Sequence, residues 1–131
     1  MVEKKWLKAQ ARKVRKVDWI DPALYRKYGV KRGLRNDNGT GVLVGLTTIG
    51  NVHGYVMNEG EKQPIPGELY YRGINVRDIV EADRREHRFG YEETAYLLLF
   101  GELPTARELV DWKNKIGSYR KLSDGFKENA I

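Results

Sequence analysis

A chain of 131 residues, 40% hydrophobic, 32% charged and free of cysteine, has the size of one domain and excludes disulfides, a thiol nucleophile and a thiolate metal site. Its longest apolar run, Ala95 to Phe100, is about a third of a membrane span, and the basic residues at its start are followed by no apolar signal stretch. A cytoplasmic protein is expected. The net charge of +6 is uneven, with twelve Lys/Arg against three Asp/Glu in residues 1–36 and twelve against fifteen in residues 37–131. A basic helical amino-terminal arm, 1–36, therefore precedes a mildly acidic body, 37–131.

The arm opens with a helix over residues 3–17, where Leu7, Ala11 and Val14 at i, i+4, i+7 form a narrow apolar stripe among Lys and Arg. So narrow a stripe needs a partner surface, and the acidic body of the same protein is preferred over a nucleic acid or an acidic partner. Asp21-Pro22 is a helix start, and Gly29 a stop for the short helix Ala23–Tyr28.

Asn36 to Gly41 is a turn cluster, after which Val42, Val44 and Leu46 alternate with Leu43, Gly45 and Thr47 as a strand. A second strand is expected at Val52–Met57, a turn at Asn58–Glu61, and a third short strand at Leu69–Tyr71, closed by Gly73. Pro64 and Pro66 keep the approach to the third strand extended. From there the pattern is helical. Asn75 caps a helix whose Val76, Ile79 and Val80 share a face, and Glu92–Phe100 is apolar on almost every side, as in a helix buried all round and stopped by Gly101. Thr105 and Glu108 have the spacing of a capping box, opening a helix with Leu109, Trp112 and Ile116 on one face.

Candidate chemistry is sparse. His53 and His87 lie far apart, and only Asp83 and Glu86 near His87 could add metal ligands, so no metal site is expected. Gly39-Thr40-Gly41 and Gly45 precede a strand with the wrong spacing for a phosphate loop. The pairs Glu92/Glu93 and Asp83/Glu86 suit general acid–base work, but Glu92 and Glu93 fall in a first helical turn, where negative charge is favoured anyway. Arg72, between Tyr71 and Gly73, is read first as one half of a buried ion pair and second as a contact for an anionic substrate.

Two stretches read together carry a resemblance. Gly67-Glu-Leu-Tyr-Tyr-Arg-Gly73, followed by Val76 and Ile79, is similar to the G-x-L-x-Y-R-G segment near the start of citrate synthases. Tyr91-Glu-Glu-Thr-Ala-Tyr-Leu-Leu-Leu-Phe-Gly-Glu-Leu-Pro-Thr105, with Glu108-Leu109, resembles the family's F-E-E-x-A-Y-L-L-L-x-G-x-L-P-T helix–turn–helix, with Tyr91 in place of Phe. The matches cover about residues 41–116, and the approach from Gly33 to Leu46 looks like a bacterial subgroup with an extended amino terminus. The implied fold class is an α+β fragment, mainly α-helical with a small β-hairpin or three-strand element at about residues 41–72, part of the mainly α citrate synthase fold.

The implied parent is a homodimeric acyltransferase that condenses acetyl-CoA with oxaloacetate; 2-methylcitrate synthase, which takes propionyl-CoA, is the close alternative. The family's two catalytic histidines and catalytic aspartate come later in its chains. His53-Gly54 has the first two letters of the catalytic His-Gly, but lacks the Ala-Asn that follows and stands too early. The resemblance therefore places no catalytic, substrate-binding or metal residue in this chain and implies no cofactor, acetyl-CoA being a substrate of the parent. The expected role is that of an incomplete, inactive, dimer-supporting scaffold, whose partners are the remainder of the enzyme and a second subunit. If isolated, it should self-associate through an uncovered apolar face. A nucleic-acid-binding module remains a competing class, disfavoured because Tyr70, Tyr71, Tyr91 and Tyr96 lie outside the basic arm. A free-standing interaction module is the third.

Overall fold

The computed structural model describes residues 2–30, 45–122 and 125–126. Among them are five helices and one three-stranded antiparallel sheet: α1 (Val2–Val17), α2 (Pro22–Lys27), β1 (Gly50–Asn58), β2 (Glu61–Tyr71), β3 (Ile74–Asn75), α3 (Val76–Arg85), α4 (Tyr91–Phe100) and α5 (Ala106–Ser118). The strands pair in the order β1-β2-β3.

The sheet lies further along the chain than residues 41–72. Gly45 to Thr47 adopt no regular structure, and Val42–Val44 and the turn cluster at 36–41 fall outside the described residues. What reads as two short strands is one long hairpin. Pro64 and Pro66 stand within β2, where the extended backbone that proline favours is kept, and the pairing with β1 shifts between His53 and Tyr55. Glu59 and Gly60 both have positive φ, the signature of the tight two-residue turn that follows strand twist. Arg72 and Gly73 repeat it, because Tyr71 pairs with Ile74 across them. The second turn adds β3, which strand patterning over two residues could not reveal.

Helix ends follow local chemistry. Asp21 accepts from the Ala23 N–H at 2.9 Å, and Asn75 from the Arg77 N–H at 2.9 Å. Thr105 and Glu108 form the full capping box: Thr105 Oγ1 accepts from the Glu108 N–H at 3.3 Å, and Glu108 Oε2 accepts from the Thr105 N–H at 3.0 Å. Gly101 ends α4 in the left-handed conformation, φ 83°, its N–H donating to Leu97 O at 2.8 Å.

The core sits where α1 and α5 meet α4. Tyr96, Leu97 and Phe100 are the buried hydrophobic residues, and Leu97 is the one large side chain with no exposure among those described. Trp112 of α5 meets Tyr96 and Phe100 edge-on, at 5.8 and 5.4 Å between ring centres, and stacks on Trp6 of α1 at 6.5 Å. Trp112 Nε1 also donates to Glu92 O at 2.9 Å.

Three expectations about faces need correction. The inward face of α1 is Trp6, Gln10, Lys13, Val14 and Val17, whereas Leu7, half exposed, and Ala11 point outward. Trp6 and Val17 offer more area than the expected stripe, and they have Trp112 and Gly101 to meet. Nor is α4 buried all round: Leu99 is 45% exposed, because the described elements cover α4 on the side of Tyr96 and Phe100. On α3, Val76 and Ile79 are half-buried but Val80 is exposed.

Gly101 is needed twice over. A Cβ there would require a left-handed side-chain residue and would stand 3.0 Å from Val17 Cγ1 on α1. Gly101→Ala is expected to cost about 2 kcal/mol, from the left-handed conformation and the crowding together. A lowered urea midpoint at unchanged slope would show it; an unchanged midpoint would contradict the packing described.

Candidate functional site

Arg72 is tied to backbone carbonyls and a threonine hydroxyl in place of the expected carboxylate. Its guanidinium makes no ion pair among the described residues. Nε and Nη2 donate to Leu98 O at 3.1 and 2.9 Å, and Nη1 donates to Val17 O at 3.3 Å and Thr48 Oγ1 at 2.8 Å. Leu98 and Val17 stand in the last turns of α4 and α1, where carbonyls lack intrahelical partners and the helix carries partial negative charge. One cation therefore closes two helix ends. The tight turn directs it, at the cost of a positive φ of 49° for a non-glycine residue, while its own N–H donates to Ile49 O at 2.8 Å.

Beside Arg72 lies an open cleft of about 940 Å³, lined by Leu46, Ile49, His53 and Tyr70 among others. His53 is exposed, its Nε2 2.8 Å from Asn51 Nδ2, and its ring meets Tyr70 edge-on at 6.1 Å. Tyr70 donates to Glu68 Oε2 at 3.0 Å. No histidine–carboxylate bond forms among the described residues, so the cleft lacks a paired base and orienting acid of the kind nucleophilic or proton-transfer chemistry needs.

The carboxylate pairs are accounted for by cations. Arg88 gathers Asp83 Oδ1 at 3.0 Å, Glu86 Oε2 at 2.6 Å and Glu93. Its hydrogen bonds to Glu93 and then Glu86 raise its already high pKa. Asp83 Oδ1 is buried without a hydrogen bond of good geometry, although the Asp83 carboxylate occupies the space a Cβ on Gly90 would fill. Glu92 pairs with Arg120 at 2.5 Å, which holds its carboxyl below the usual range. His87 is exposed, and no group of three or more potential metal ligands occurs among the described residues. Gly39-Thr40-Gly41 lies outside them.

Sequence reading passed over a second polar node. Lys13 Nζ on α1 donates to Tyr96 Oη and Glu108 Oε1, both at 3.1 Å, and Tyr96 donates to Glu108 at 3.2 Å. The bond to Tyr96, then that to Glu108, raises the Lys13 pKa. A lysine among eight other basic residues on 2–30 gives no sign of being the docked one; only its spacing from Trp6 and Val17 does. The Thr105 backbone N–H, the Thr105 hydroxyl and then Lys13 hold the Glu108 carboxyl at about 2, against an ordinary 4.5.

A depressed carboxyl pKa contributes stability that is complete above about pH 4.5 and is lost as pH falls through 2. Glu108→Gln should therefore melt below the parent chain at neutral pH, with the difference closing between pH 4.5 and 2. A difference that ignores pH would sink this assignment.

The absence of aromatics from the basic part also needs correction. Trp19, Tyr25 and Tyr28 stand in it, and all three are exposed.

Residues 33–131 match a family model described as citrate synthase, C-terminal domain. The chain is 38% identical over 87 residues to citrate synthase of Saccharolobus solfataricus, covering 66% of this chain and 18% of that protein. It is 35% identical over 96 residues to 2-methylcitrate synthase 1 of Corynebacterium glutamicum, covering 73% and 20%. It is 42% identical over 60 residues to 2-methylcitrate synthase of Shewanella oneidensis, covering 46% and 14%. The matched stretch is thus a fifth or less of each relative's length. The description of the family model names the other end of the enzyme from the amino-terminal segment that the resemblance implied, and organisms this varied single out no bacterial subgroup. The helices and small sheet are a portion of the citrate synthase fold, and with three quarters of its length inside the family model the chain belongs to the citrate synthase family.

Proposed function

We propose that this chain is a scaffold segment of a citrate synthase, placed ahead of its catalytic residues, and that it catalyses nothing by itself. The observation that carries the reading is the fate of Arg72. The most chemically distinctive residue of the matched segment is used to join α1, α4 and Thr48, with four of its five guanidinium donors spent on them. The order of the two matched segments, 67–73 before 91–105, supports placement ahead of the catalytic residues.

In the parent, a carboxylate removes a methyl proton of acetyl-CoA while a histidine stabilises the enol. A second histidine assists attack on the ketone of oxaloacetate, and water hydrolyses citryl-CoA. The remainder of the enzyme supplies those groups. The exposed Leu99, Val110, Phe89 and Tyr91 are surfaces for that remainder and for a second subunit in a cytoplasmic homodimer or higher oligomer. Alone at micromolar concentration the chain self-associates, and a monodisperse monomer in sedimentation would argue otherwise. A 2-methylcitrate synthase parent is the second reading, favoured by relatives of that name at 35% and 42% identity.

The test is the coding DNA beyond the Ile131 codon. Several hundred further codons with His-Gly-x-Ala-Asn-like and Gly-His-x-Val-Tyr-like stretches are expected. A stop codon directly after Ile131 would overturn the enzyme parentage of this product.

A further inference from the structure

The helical arm presents a charged surface that the scaffold reading does not use. Residues 2–30 carry nine Lys/Arg against three Asp/Glu. Lys13 alone of the nine is in an ion pair among the described residues; Lys4, Lys5, Lys8, Arg12, Arg15, Lys16, Arg26 and Lys27 are exposed. Lys4, Lys8, Arg12 and Arg15 recur at i, i+4, i+8, i+11, so their attachment points follow one side of α1 about every 6 Å. The inward face is anchored by Trp6, Lys13 and Val17, which fixes this row outward.

Next along the chain come three exposed aromatics. Trp19 is 68% exposed, and Tyr25 and Tyr28 are about half exposed, with Lys27 Nζ 5.5 Å from the Tyr28 ring centre. A row of cations, followed in the chain by exposed aromatic rings, supplies the two components of a surface for unpaired nucleotides. A lipid surface is disfavoured, because the apolar face such a helix would insert is already packed on α4 and α5. An acidic protein would use the cations but has no particular need of the rings.

We propose that the arm formed by α1 and the segment Trp19–Tyr28 binds single-stranded nucleic acid, the α1 cations taking phosphates and Trp19 stacking on a base. The test is fluorescence anisotropy of a labelled 20-nucleotide oligo-dT or oligo-U titrated with the full 131-residue chain across a salt series. Binding is expected at low salt, with a slope of log K against log salt of about −2.8 for four phosphate contacts. Lys8→Gln with Arg12→Gln should reduce that slope by about half. Trp19→Ala should weaken binding roughly five- to a hundredfold at fixed salt without altering the slope. All of these side chains are exposed, so circular dichroism unchanged from the parent chain is the fold control.

No anisotropy change at low salt would overturn the proposal. So would polyglutamate competing as well as the oligonucleotide while Trp19→Ala has no effect, since the arm would then be a general polyanion or acidic-protein surface.

Discussion

Leu97→Ala is expected to remove most of the stability of the fold. Leu97 is completely buried, and it shares α4 with the other two buried hydrophobic residues, Tyr96 and Phe100. Truncating a fully buried leucine costs about 3–4 kcal/mol, in lost burial and in the cavity left behind. A single domain has roughly 5–15 kcal/mol in all, and three buried hydrophobic residues among those described place this chain towards the lower end. A urea titration followed by tryptophan fluorescence reads the change directly, since Trp6 and Trp112 report on α1–α5 contact. Leu99→Ala is the matched control, because Leu99 lies on the same helix with 45% exposure. It should cost much less in the isolated chain. Equal losses at the two positions would mean that α4 is covered on both sides.

Arg72→Met should be the next most damaging change, at about 3 kcal/mol. It leaves Leu98 O and Val17 O without the guanidinium, and hydrogen bonds to a charged group contribute about 1.5–3 kcal/mol each in such settings. Arg72→Lys should recover only part of the loss, because an ammonium is a single point and cannot span carbonyls on two helices and a threonine hydroxyl at once. Hydrogen exchange should then show faster opening at the carboxyl ends of α1 and α4 in both variants. If Arg72→Lys matched the parent chain, charge alone would suffice and the account of the turn at Arg72-Gly73 would fail.

Which features were legible in the sequence follows the range of the interactions. The Thr105–Glu108 capping box, the Asn75 and Asp21 caps and the Gly101 stop each depend on residues within one helical turn, and they stand as read. The inward face of α1 was misjudged because its choice depends on Trp112 and Gly101, far away in the chain, which favour Trp6 and Val17 over Leu7 and Ala11. Arg72 was misjudged for a related reason. Its partners are mainly backbone carbonyls, which no side-chain pattern announces, so the expected ion-pair partner is absent among the described residues. The hairpin turn at Arg72-Gly73 lacks the Asn-Gly or Asp-Gly step that marks such turns, and β3 beyond it is only two residues long. Of the candidate reactive residues, Glu92, Glu93, Asp83 and Glu86 resolve into ion pairs with Arg120 and Arg88, as their position at a helix start suggested for the first two.

The central claim is that these residues build a frame and leave the chemistry to the rest of the parent enzyme. It is tested most directly by supplying the purified 131-residue chain with oxaloacetate and either acetyl-CoA or propionyl-CoA, and following release of the CoA thiol. The account predicts no release above the rate without protein, for either acyl group. Thiol release that disappears in His53→Ala, the one histidine lining the cleft beside Arg72, would contradict it.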